Sequence, residues 1–276
     1  MNENIVLPKG KKMEILEEFI TICNENKVWY SLDEDSLLLA YAKNDFSEYL
    51  DNFTVILTYE SYELLKQKYP QKFLDNSKHS QYFSLQIKFM NNIQNIYESQ
   101  PFLDINLLLP TKINKLNKFI TFRNKLKSIK CDYLSYNETN IKKISNKIYW
   151  WKLLGLYKTL SYKTMINAIH DESFDGYVVT NKIVTRNWIN KWIPNVSFKI
   201  KEIDFFGLKV KALFEYEPYL RNIYGKDFEN YIIPEPKYRH LNPIELWNLN
   251  ALENSNNTKT NEIKIPQENI KESEKW

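Results

Sequence analysis

Glycine is nearly missing from this chain: five residues in 276, with none between Gly10 and Gly155. Over that stretch no glycine is available to let backbone amides approach a phosphate. Histidine is scarcer still, and its three residues, His79, His170 and His240, stand far apart without ligand spacing. Two cysteines, Cys23 and Cys131, exclude a disulfide framework and a zinc cluster, and a reducing cytoplasm is the expected setting. No run of about 18 apolar residues occurs, so no transmembrane helix is expected. Glu14, Glu17 and Glu18 break the apolar stretch that a signal peptide would need.

What remains is enough for a packed core. Hydrophobic residues make up 43%, charged residues 26%, and 19 Tyr, 15 Phe and 7 Trp supply large apolar area. Residues 1–252 are expected to form one domain. Residues 253–276, rich in Asn, Lys, Glu, Thr and Ser, are expected to be a disordered tail. The net charge of +4 is uneven: residues 111–163 carry thirteen Lys and Arg against Asp132 and Glu138, which is +11 and leaves −7 elsewhere. Such a block suits an anionic membrane or a phosphorylated acceptor, or is simply a set of solvated helix faces. The stripe Ile148, Tyr149, Trp150 and Trp151 fits either a membrane interface or a core. Nucleic acid is not the expected partner, because no recognised module accompanies the basic block.

Apolar spacing predicts a helix over 11–26, with Met13, Leu16, Phe19, Ile20 and Cys23 on one face. Strands are predicted at 28–32, 53–57, 82–89 and 102–109, the last ended by Pro110. A short helix capped by Asp35 or Ser36 should run to Ala42, and another should span 59–68. Basic amphipathic helices are expected over 112–130 and 139–170. A short strand follows at 177–179. Segments 197–203 and 208–213 should pair across 204–207, and a helix over 218–224 should stop at Gly225.

Asp104 is the first chemical candidate, because a carboxylate inside the apolar strand Phe-Leu-Asp-Ile-Asn-Leu-Leu-Leu is costly without a purpose or a partner. It is either a metal ligand or general base, or an edge-of-sheet residue reaching solvent. The order of elements (helix, strand, Ser-led helix, acidic strand, later strand with one carboxylate) is that of a nucleotidyltransferase fold. The expected fold class is therefore α/β or α+β, a mixed sheet flanked by helices, with a basic helical insertion at about 111–175.

The chain resembles the LicD/fukutin family of phosphotransferases over 11–110 and 200–245. The family's Gly-Gly-Thr-Leu-Leu-Gly-Ala stretch is matched by Glu34-Asp35-Ser36-Leu37-Leu38-Leu39-Ala40, and its acidic strand by Leu50-Asp51-Asn52-Phe53-Thr54-Val55. Its next acidic strand is matched by Leu103-Asp104-Ile105-Asn106. Near the C-terminus Phe205-Phe206-Gly207, Tyr219-Leu220, Tyr224-Gly225-Lys226-Asp227, Pro234, Pro236, Arg239 and His240 follow the family order. The resemblance implies transfer of phosphorylcholine, or a similar phospho-alcohol, from a CDP-linked donor to a glycan or glycolipid, as in lipopolysaccharide or glycolipid biosynthesis. It implies Mg²⁺ or Mn²⁺ on paired carboxylates. It further implies Asp104 and Asp51 as catalytic and metal residues, with Ser36 and Arg239 at phosphate. The place of action would be the cytoplasm, peripheral at the inner face of the membrane, with residues 111–163 as the contact.

The departures fall on the chemistry. Glu34 and Asp35 replace the two glycines, Ala42 replaces the arginine, and Asn52 and Thr54 stand at the paired metal ligands. Asp51 is one position out of phase on a regular strand. Two functions follow: an active transferase, in which a bulge gathers Asp104 with two of Asp33, Glu34, Asp35, Glu48 and Asp51, or an inactive relative that binds a glycan, nucleotide or protein without metal.

Overall fold

Strand β5 (Phe102–Thr111) organises the computed structural model, which describes residues 9–78, 82–96, 100–134, 159–194 and 199–233. Its run of Leu and Ile is buried almost throughout, as a central strand covered on both faces should be. Along one edge it pairs in parallel with β2 (Phe53–Thr58), from Phe53 opposite Leu103 to Thr58 opposite Leu108. The other edge is shared. β4 (Ile87–Met90) runs antiparallel to residues 102–105, and β6 (Gly176–Thr180) runs antiparallel to residues 107–111. Asn106 is the one residue between the two ladders.

The sheet is completed by β1 (Tyr30–Leu32) outside β2, β3 (Phe73–Leu74) outside β4 and β7 (Trp192–Pro194) outside β6. It is a mixed sheet of seven strands flanked by helices. Alternation along the strands sorts its faces. Val55, Leu57, Leu103, Ile105, Leu107, Ile87 and Phe89 share one face, where Phe19 of α1 (Lys9–Glu25) meets Phe89 edge-on at 5.4 Å. Helix α3 (Tyr59–Lys68) also packs on β2 and β5. Thr54, Lys88, Asp104 and Asn106 share the opposite face.

A separate hairpin, β8 (Ile200–Phe205) and β9 (Leu208–Leu213), lies against β1. Its turn is Phe206–Gly207, with φ of 53° and 87°. Two positive φ values in a two-residue turn match the right-handed strand twist, which is why a glycine stands there. Helix α8 (Tyr216–Tyr224) stops at Gly225, whose φ of 95° ends the helix.

The departures from the sequence reading have physical causes. Pro110 does not end β5. Its carbonyl accepts from Asp171 N, so its ring nitrogen points away from β6, to the edge that β2 has already left. The helix expected over 112–130 is two, α4 (Ile113–Phe119) and α5 (Phe122–Leu134), because the Thr121 hydroxyl accepts from Asn124 N and starts a new helix. Of the strand expected over 82–89 only the end pairs. Tyr82 Oη donates to the Gln86 carbonyl at 2.6 Å and Ser84 Oγ accepts from Gln86 N, so the side chains satisfy the backbone locally. The short β3, β7 and helix α7 (Asn187–Asn190) carried no periodicity to find. The helix expected over 139–170 is not continuous: residues 159–161 are extended or irregular, and α6 (Tyr162–Ile169) starts afresh because the Ser161 hydroxyl accepts from Thr164 N. Residues 139–158 with the Trp150–Trp151 stripe, His79 and the 253–276 tail lie outside the described residues.

Candidate functional site: a polar seam where the sheet divides

The gap at Asn106 is filled by side chains. Gln86 Nε2 donates to the Ile105 carbonyl at 2.9 Å and to Asn106 Oδ1 at 3.1 Å, so a side-chain amide takes over where the β4 ladder stops. Asn106 Nδ2 in turn donates to Asp33 Oδ2 at 2.7 Å. Both Asn106 and Asp33 are wholly buried, and a buried carboxylate must be fully partnered. Tyr219 of α8 supplies the second bond, donating to Asp33 Oδ1 at 2.6 Å. Lys191, between α7 and β7, places its ammonium 3.6 Å from Asp33 Oδ2.

Asp33, rather than Asp35 or Ser36, stands at the N-terminus of α2 (Glu34–Tyr41) and makes no side-chain cap, because its carboxylate is taken up by the seam. Glu34 begins that helix with a φ of 45°, a left-handed value that a non-glycine residue adopts at a cost. The outcome is a carboxylate delivered to Lys191, with which it forms an ion pair. Asn181 Nδ2 donates to the same Glu34 oxygen at 3.0 Å, and Trp188 Nε1 fixes Asn181 by donating to its Oδ1 at 2.9 Å. Burial disfavours the Glu34 charge, but Lys191 and the amides outweigh it and hold Glu34 below its ordinary range. For Lys191, burial is likewise overcome by Asp33 and Glu34, and its pKa is raised. Asp35 lies beside Tyr224, whose hydroxyl donates to Oδ1 at 2.6 Å. Burial pushes Asp35 up to about 6 against that hydrogen bond, and the Glu34 charge adds to the rise.

Two residues back along β5, Asp104 faces Lys88 of β4 directly across the ladder. The Lys88 ammonium is 2.7 Å from Asp104 Oδ1 and 4.0 Å from the centre of the Phe102 ring, and no part of the lysine reaches solvent. Burial favours a neutral carboxyl at Asp104, but Lys88, joined by Asn52, holds it below the ordinary range. For Lys88, burial outweighs Asp104 and lowers its pKa. Asp132 of α5 completes the group, 3.9 Å from Lys182 and in contact with Ser84, with its pKa raised by burial. The seam thus gathers five carboxylates, Asp33, Glu34, Asp35, Asp104 and Asp132, with three amines, Lys88, Lys182 and Lys191.

Of the residues expected to act together, Asp104 lies in the seam and Asp51 does not lie on a strand. Asp51 sits in a bend two residues before β2, half-buried, while Thr54 is the residue opposite Asp104. Ser36 is fully buried, and its Oγ accepts from Thr54 N at 2.8 Å, pinning α2 to β2. Arg239 and His240 lie outside the described residues. The surroundings of Asp104 do not suit a divalent cation: an ammonium already holds Oδ1, Asn52 and Thr54 are neutral, and among the described residues no group of three His, Cys, Asp or Glu is placed to hold a metal ion. Lys88, Gln86, Asn181 and Lys191 were not foreseen, and Asn106, Tyr219 and Tyr224 entered only through the family resemblance, with no role assigned. One signal pointed to four of the seam residues: Gln86 and Lys88 are two apart in one strand-like segment, as are Asp104 and Asn106 in another, and period-two polar pairs on neighbouring strands are suited to meet.

No family model, no curated protein and no solved structure matches this chain.

Proposed function

We propose that this protein is a non-catalytic LicD-like protein of nucleotidyltransferase-like fold, which binds a glycan at the polar seam without a metal. The observation that carries the reading is Lys88. Its buried ammonium occupies the side of Asp104 that a metal-dependent transferase would need free for Mg²⁺ or Mn²⁺. The charge balance supports it too. Five carboxylates against three amines repel a nucleotide diphosphate, and where the seam reaches the surface at Glu34, Asp35 and Asn181 it offers two carboxylates and an amide, which suit sugar hydroxyls. Glu34, Asn181 and Asp35 are partly exposed, and Tyr231, 40% exposed, packs on Tyr224 at 5.1 Å and offers an aromatic face beside them. On this reading the protein works in the cytoplasm or at its membrane face, beside enzymes that build the glycan.

The test is calorimetric titration of the full chain with CDP-choline, with and without Mn²⁺, together with a phosphorylcholine-transfer assay on a glycolipid acceptor. The expected result is no Mn²⁺-dependent binding and no transfer. Metal-dependent binding or turnover overturns the proposal in favour of the active transferase. One observation favours that second reading: Asp35, at about 6, is poised as a proton acceptor near neutral pH. In that case Asp35→Asn abolishes transfer while the fold is retained.

A further inference from the structure

The corner between α4 and α5 carries the most exposed aromatic side chain of the described residues. Phe122 is 76% exposed, at the first residue of α5. Around it Lys118, Thr121, Arg123 and Lys125 are all exposed. No ion pair engages Lys118 or Lys125 among the described residues. From 111 to 134 the chain has seven Lys and Arg and one acid, Asp132, which is turned inward to Lys182 and Ser84.

The placement of these charges does not serve the helix. The N-terminal end of a helix is its positive pole and favours acids, yet the first turn of α5 has none and holds Arg123 and Lys125 instead. The positive pole, the first-turn Lys125 and Lys118 at the end of α4 therefore all lie within four residues of the exposed Phe122 ring along the chain. An aromatic tip amid cations is the chemistry of peripheral attachment to an anionic bilayer. The ring enters the headgroup boundary, and the amines meet lipid phosphates. We infer that the α4–α5 corner is a membrane-docking point for anionic phospholipid, with Phe122 as the inserted residue and Lys118 and Lys125 as its electrostatic partners. This does not depend on what the seam binds. A single-stranded nucleic acid shares the charge logic but needs a track of bases to stack, and one isolated ring at a corner provides none.

The test is co-sedimentation of the full chain with vesicles of phosphatidylcholine alone, or with about one third phosphatidylglycerol, at low and at physiological salt. Binding is expected only to the anionic vesicles and is expected to weaken with salt. Phe122→Ala should reduce partitioning about tenfold and Lys118→Glu with Lys125→Glu at least as much, since each lysine near the surface contributes roughly fivefold. All three positions are exposed, so the variants keep the fold, which circular dichroism checks. Absence of wild-type binding to anionic vesicles overturns the inference. So does equal binding by Phe122→Ala, or a preference for a single-stranded oligonucleotide over vesicles.

Discussion

Lys88 and Asp104 stand opposite one another on adjacent antiparallel strands, ammonium to carboxylate at 2.7 Å, with the lysine sealed from solvent. A sealed charge pair is expensive to halve and inexpensive to replace whole. Asp104→Leu alone is expected to destabilise the protein by about 3 kcal/mol, because Lys88 is left buried without its counter-charge. Lys88→Met combined with Asp104→Leu should return to within about 1 kcal/mol of the wild type. Urea denaturation of the four-member cycle measures this. An additive cycle would mean that the pair is not coupled.

Asp35 gives a pH dependence of opposite sign to that of most acids. In the unfolded chain it ionises near 4, whereas in the folded chain burial delays ionisation to about 6. Between those values the folded state holds a proton that the unfolded state has lost, so stability falls as pH rises through the window and is level above it. Asp35→Asn keeps an acceptor for Tyr224 and removes the titration. At pH 7 it should be more stable than the wild type by on the order of 2 kcal/mol, with the advantage vanishing below about pH 4. Thermal melts of both proteins from pH 4 to 7 decide it.

Gly176 begins β6 beneath the Trp192 indole. A Cβ built there would lie 2.3 Å from Trp192 Cζ2, closer than any real contact. Gly176→Ala is expected to cost about 1–3 kcal/mol by forcing the indole out of place. Adding Trp192→Leu should recover part of that loss. A stability of Gly176→Ala equal to the wild type would place Trp192 elsewhere.

The scaffold was largely legible in the sequence because it rests on local pattern. The helix after residue 9, the strands ending near residues 32 and 57, and the apolar β5 all announce themselves through periodicity. The turn at Gly207 and the stop at Gly225 follow from two glycines in a chain that has few. The site was legible only in part. Asp104 stood out because its neighbours are apolar, but Lys88 was one lysine among many until the register set it opposite. Lys191 and Tyr219 reach Asp33 across 158 and 186 positions of sequence. No window on the sequence spans such distances. Glu34 and Asp35 read as lost phosphate contacts, whereas the left-handed φ of Glu34 and its ion pair with Lys191 arise only in three dimensions.

The divided edge of β5 has a mechanical consequence. β3–β4 and β6–β7 are each hydrogen-bonded to the same strand but not to one another among the described residues. Either ribbon can come away while the other keeps its whole ladder. What bridges the two ribbons at Asn106 is a chain of side chains rather than backbone hydrogen bonds, so the continuity of the sheet across its width rests there on the identity of a few residues.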